Sequence, residues 1–176
     1  MQKRQTVRNL GILAAVLISV FACFVVFLLS GRPPHDITLV QRFESNRSVF
    51  EELRDMLQED VQSHNISQIA QWGLRKPGQG VPRSPEEEGL SKERYEKYLA
   101  LMKKAGIGVC IHVDSDYRFI VAGSGFAGSG YRIAVTWNTN KPSPIIASLD
   151  DFRKSSGEWE QAYRPLQDDW YLWIRW

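Results

Sequence analysis

The hydrophobic and polar positions of this chain pass through three regimes. From Leu10 to Leu29 there is no period at all. LGILAAVLISVFACFVVFLL is uncharged throughout, and about 20 apolar residues suffice for a helix to cross hydrocarbon. The run predicts an N-terminal transmembrane helix, ended by Pro33-Pro34. Between Arg42 and Val61 the period becomes helical. Phe43, Phe50, Leu53, Met56 and Leu57 share a face. Ser48 and Glu51 match a capping box, so this helix starts either near Arg42 or only at Ser48. Lys76 to Pro85 (KPGQGVPRSP) reads as a loop. A second helix is expected from an N-cap at Ser91. Its stripe is Tyr95, Tyr98, Leu99 and Met102, with Lys103 and Lys104 in its last turn and Gly106 as terminator.

From Ile107 the period drops to two. Val109, Ile111 and Val113 alternate with polar neighbours, Asp114-Ser115-Asp116 reads as a turn, and Tyr117, Phe119 and Val121 alternate again. Tyr131, Ile133, Val135 and Trp137 form a third strand, Ile145 to Ser148 offers a further short one, and Trp170 to Trp176 forms a last one. Two helices followed by such a meander predict an α+β fold. The expected architecture is a transmembrane helix, then two helices packed on an antiparallel sheet of about four strands. The expected domains are 1–31 (cytoplasmic tail and anchor), 32–41 (linker) and 42–176 (extracytoplasmic domain).

Charge refines this picture. Residues 1–31 hold Lys3, Arg4 and Arg8 and no acid; the remainder has 19 basic and 20 acidic side chains, a net of −1. Positive flanks stay cytoplasmic, which implies a bacterial inner-membrane protein, single-pass and N-in, with its domain in the periplasm. Two other readings stay open: lipidation at Cys23 in a lipobox-like Val20-Phe21-Ala22-Cys23, or removal of the run as a signal peptide. The domain has no basic excess to condense on phosphate, which argues against nucleic acid.

Gly123 to Gly130 (GSGFAGSG) satisfies G-x-G-x-x-G, with Asp150 downstream. A dinucleotide loop must turn a strand into a helix whose N-terminus meets the pyrophosphate. Tyr131 to Trp137 has period two instead, so the stretch reads as a hairpin connection and no nucleotide is expected. His35, His64 and His112 are scattered, and Cys110 falls in a strand. No catalytic, cofactor or metal-ligating residue is assigned, and no cofactor is expected.

Tryptophan is the unusual signal. Trp137, Trp159, Trp170, Trp173 and Trp176 lie in the last 40 residues. Alternation puts Trp170, Leu172, Ile174 and Trp176 on one face of the last strand, toward the helices. The opposite face holds Tyr171, Trp173 and Arg175; it is either partly covered by the segment from Ser148 to Leu166 or left as a binding face for a protein partner or a glycan, since these types are enriched at interfaces. With Phe126 and Tyr131 near the glycine stretch, these are the candidate interface residues. The reading is a non-enzymatic, membrane-anchored domain that contacts the bilayer through residues 10–29 and binds an envelope protein. The alternative is an envelope hydrolase or glycan-binding module.

Four features, namely the apolar run, LSKERYEKYLALMKKAGI, the Gly130-Tyr131-Arg132 strand entry and Asp168-Asp169-Trp170-Tyr171-Leu172, resemble a loose class of small bacterial envelope proteins. These carry a signal-anchor and one α+β domain. The resemblance implies that architecture and, for some members, an immunity-protein-like role. It transfers no site residues.

Overall fold

The computed structural model describes Ser19 and residues 33–113, 116–124, 130–155 and 161–175. The chain divides into two compact units, Met1–Arg32 and Pro33–Trp176. Of the first, only Ser19 is described, helical and exposed. None of the described helices is long and apolar enough to cross a membrane. The expected transmembrane helix therefore has no counterpart among them. Residues 10–29, on which that helix and the single-pass topology were placed, lie outside the described residues apart from Ser19.

The second unit opens with α1 (Asp36–Ser45) and α2 (Arg47–His64). The residues read as linker up to position 41 thus form most of α1, and Leu39 is in the core. The single helix expected here is broken at Asn46. Its side-chain amide donates to the Arg42 carbonyl at 2.9 Å, and its N–H donates to the Phe43 carbonyl at 3.1 Å. An Asn side chain that captures a backbone carbonyl competes with the helical ladder. The bend keeps Phe43 and Phe50 together, with ring centroids 5.7 Å apart.

Two three-residue strands follow, β1 (Gln68–Ala70) and β2 (Gly73–Arg75), paired as a hairpin. Gly73 has φ +126°, and a Cβ there would lie 2.4 Å from the Arg83 carbonyl oxygen, so a side chain would collide. The loop beyond β2 is held by Glu88, which is buried. It meets Lys76 Nζ at 3.1 Å and Arg83 Nε at 3.7 Å, and accepts from Gln79 at 3.0 Å. Helix α3 (Lys92–Ala105) begins where expected. Ser91 Oγ accepts from the Arg94 N–H at 3.2 Å, and Gly106 closes it at φ +67°. Arg94 and Tyr98 of α3 reach Asp60 of α2, at 3.1 and 2.7 Å.

Strands β3 (Val109–Val113), β4 (Asp116–Ser124) and β5 (Tyr131–Trp137) form the meander. A short helix α4 (Leu149–Ser155) precedes β6 (Gln161–Pro165) and β7 (Trp170–Arg175). The sheet has seven antiparallel strands in the order β2-β1-β3-β4-β5-β7-β6, which corrects the expected four. The helices number four among the described residues, not two after an anchor. The strands that sequence periodicity missed are β1, β2 and β6, which are short or end in proline.

The main core lies between the helices and one sheet face. It joins Leu39, Phe50, Leu53, Leu57, Tyr98 and Leu149 to Ile69, Cys110, Phe119, Val135 and Leu172. Trp170 sits at its aromatic centre, with ring centroids 5.5 Å from Phe43, 6.1 Å from Phe50 and 5.9 Å from Phe119. Trp170→Ala should cost about 3–5 kcal/mol, as core aromatic truncations do, read from chemical denaturation.

Hydrogen bonding from Gln79, then from Lys76, holds the Glu88 carboxyl below its ordinary value. A carboxyl lowered by folding stabilises above its unfolded pKa of about 4.3, and that contribution fades as pH falls through the folded value. Glu88→Gln should lower the melting temperature at neutral pH. It should also flatten the acid limb of a melting-temperature-versus-pH curve.

Candidate interaction surface

The last strand decides which sequence-predicted residues are accessible. β7 lies between β5 and β6, so its backbone is bonded on both sides. Its two faces enter two different clusters. Trp170, Leu172 and Ile174 belong to the main core. Tyr171 and Trp173 join Ala134 and Tyr163 in a second cluster on the opposite face, with Ile120 against it. Tyr171 is 8% exposed and Trp173 only 3%. The Arg118 guanidinium lies 4.5 Å from the Trp173 ring centroid, and the Trp173 indole N–H donates to Gln161 Oε1 at 3.2 Å.

Tyr171 and Trp173 are therefore not the presented face the alternation predicted. The residues opposite them on β5 and β6, together with Arg118, cover that face. Tyr131 is also buried, in the main core. Phe126 lies outside the described residues. Of the candidate interface residues, Arg175 alone is exposed among those described. A binding face here, for a protein or a glycan, leaned on an exposed Trp173, and its burial removes that support from both.

The cover over Trp173 is anchored at Asp116. Arg118 meets the Asp116 carboxylate through Nη2 at 2.5 Å and Nε at 3.1 Å. Asn138 Nδ2 donates to the other carboxylate oxygen, and the Tyr163 hydroxyl donates to Oδ2 at 3.4 Å. Burial, then the neighbouring Asp116 charge, raises the Tyr163 hydroxyl above its ordinary value. Three elements are thus tied to one carboxylate: the start of β4, the chain after β5, and the middle of β6. Removing one member of such a buried pair strands the other, which costs about 3–5 kcal/mol.

The remaining titratable groups are similarly engaged. Asp36 Oδ2 accepts the Leu149 N–H at 3.0 Å and meets Arg164 Nη1 at 2.8 Å. Burial pushes the Cys110 thiol well up, which disfavours the thiolate a nucleophile needs. Among the described residues no group of three His, Cys, Asp or Glu could hold a metal ion. Gly123 and Ser124 end β4, and β5 follows antiparallel to it, so the glycine stretch joins neighbouring strands and leads into no helix. Positions 125–129 lie outside the described residues.

The open feature lies beside the edge strand β6. An apolar groove of about 470 Å³ is lined by Pro144, Ile145, Ile146, Ala147, Ser148, Asp151 and Phe152. Pro144 to Ile146 runs parallel to β6: Tyr163 N–H donates to the Pro144 carbonyl at 2.9 Å, and Ile146 N–H to the Tyr163 carbonyl at 2.8 Å. This pattern turns the N–H and C=O of Ile145 away from β6. Neither has a hydrogen-bond partner among the described residues. The Ile145 residue is 50% exposed. The short strand that the sequence offers at Ile145 to Ser148 forms as a single bridge, Ile145 to Tyr163.

Comparison with known proteins gives no matching family model, no matching curated protein and no matching solved structure.

The cover over Trp173 predicts a specific outcome. Trp173→Ala should destabilise the domain by about 3–5 kcal/mol, as a buried aromatic does. Arg118→Met should destabilise it as well, because it leaves Asp116 buried without its cation. Urea unfolding of the two variants checks both.

Proposed function

We propose that this chain is a non-enzymatic protein-binding module that takes an extended apolar segment of its partner at the Ile145 edge. One observation carries the reading: at the isolated bridge of Ile145, backbone groups without partners among the described residues and an exposed isoleucine coincide with an apolar groove. An unpaired edge is a template for another strand. Strand addition draws affinity from main-chain hydrogen bonds and specificity from side-chain pockets. The groove is the pocket and Ile145 supplies the edge.

The uncharged run 10–29 supports contact of the same chain with a lipid bilayer. Lys3, Arg4 and Arg8 before it support an extracytoplasmic side for the domain. An envelope protein is then the partner class, in an immunity-like or complex-forming role.

Peptide display selected on the full-length protein in neutral detergent tests the edge. The selected sequences should be extended and apolar at alternate positions. Ile145→Asp should weaken them at least about tenfold, or 1.4 kcal/mol, by fluorescence anisotropy, with an unchanged melting temperature. Equal affinity for Ile145→Asp would sink the proposal.

A further inference from the structure

The second face of the sheet carries a row of donors that the described residues leave without acceptors. Arg132 on β5 is directly opposite Arg175 on β7, and Arg175 is directly opposite Gln161 on β6. On the other side, Arg132 faces Gly123 on β4. Four neighbouring strands therefore contribute Gly, Arg, Arg and Gln at one level, spaced by about 4.8 Å.

Arg132 and Arg175 are both exposed. Neither has an acidic partner among the described residues. Most other described arginines do: Arg47 meets Glu51 and Asp168, Arg54 meets Asp55, Arg94 meets Glu59 and Asp60, Arg118 meets Asp116, and Arg164 meets Asp36. The Gln161 carbonyl oxygen accepts from the Trp173 indole, and its amide has no acceptor among the described residues. Like charges directly opposite on neighbouring strands destabilise a sheet. The fold thus carries an unfavourable pair, flanked by a glycine that adds no side chain of its own.

We infer that the Arg132–Arg175–Gln161 row is a docking site for an acidic segment of a protein partner. The inference rests on the protein-binding reading and names the chemistry of a second contact on that partner. Two guanidinium forks match carboxylates in bidentate geometry. The Gln161 amide extends the row by one more donor. Carboxylates on a segment lying across the strands meet both arginines, and each lessens the repulsion between them. The charge of the domain chooses the source of the anion. With a net charge of −1 from residue 32 onward the domain has no basic excess to draw it to a polyanionic surface, whereas a short acidic segment meets only the local pair.

A fluorescent octaglutamate peptide and phosphatidylglycerol vesicles are the probes, with full-length protein in neutral detergent for the peptide and reconstituted protein for the vesicles. The wild type should bind the peptide at low salt and lose it as salt rises. The double variant Arg132→Gln/Arg175→Gln should bind at least tenfold more weakly, while its melting temperature holds or rises. Ile145→Asp should leave octaglutamate binding intact, and the double variant should keep the peptides selected at the groove. These two controls separate failure of this row from failure of the edge. Octaglutamate binding that is absent, or equal in the double variant, overturns the inference. So does vesicle binding that depends on Arg132 and Arg175 when peptide binding does not.

Discussion

The placement of β7 inside the sheet is the constraint on which the domain depends. Bonded to neighbours on both sides and covered on both faces from Trp170 to Ile174, this strand leaves only Arg175, at its end, exposed. Trp170 on one face meets three phenylalanines of the main core. Trp173 on the other face is covered by Arg118. The last strand thus ties two clusters that share no side chain. It also fixes where β5 and β6 lie, and with them the Asp116 network and the Ile145 edge.

Buried charge in this domain fastens elements together. Asp60 joins α2 to α3, Asp36 joins α1 to β6 and to the start of α4, and Asp116 joins β4 to β6. Each carboxylate is matched by an arginine and at least one further donor. Burial of such a group is tolerable only when it is paired in this way. Two exposed places contrast with this pattern among the described residues: the backbone at Ile145, without hydrogen-bond partners, and the pair Arg132 and Arg175, without acids. Ile145 lies beside β6, and the arginines lie on β5 and β7. A partner that engages both would combine main-chain pairing with charge complementarity.

The helix from Ser91, its glycine terminator and the meander from Val109 to Trp137 were legible because each has a long, clean period and a marked end. The strand at Trp170 was legible too, but its second face stayed open between cover and a binding face. Trp-Tyr-Leu-Trp-Ile is apolar at both parities, the pattern of a strand buried on both faces. The pairing of β6, which lies within the segment from Ser148 to Leu166, and the burial of Tyr171 and Trp173 decide for cover. Three-residue strands such as β1 and β2 carry too few positions for a period. β6 was hidden by Arg164 and Pro165, whose roles depend on Asp36 and on a turn that only the fold brings near. The break at Asn46 involves neither proline nor glycine, and its cause is a side-chain bond to a carbonyl four residues back. Arg175 was singled out from its strand position. Its neighbour Arg132 is 43 positions earlier in sequence, and only register places the two together.

Native-state amide hydrogen exchange measures the central claim directly, because protection reports bonding on each side of a strand. The account predicts that Tyr171 to Ile174 exchange only through global unfolding, since β7 is held by both β5 and β6. The Ile145 amide should exchange orders of magnitude faster than its neighbour Ile146, whose N–H is bonded to Tyr163. Early exchange along β7, or an Ile145 amide as slow as Ile146, would contradict an interior last strand beside an open edge.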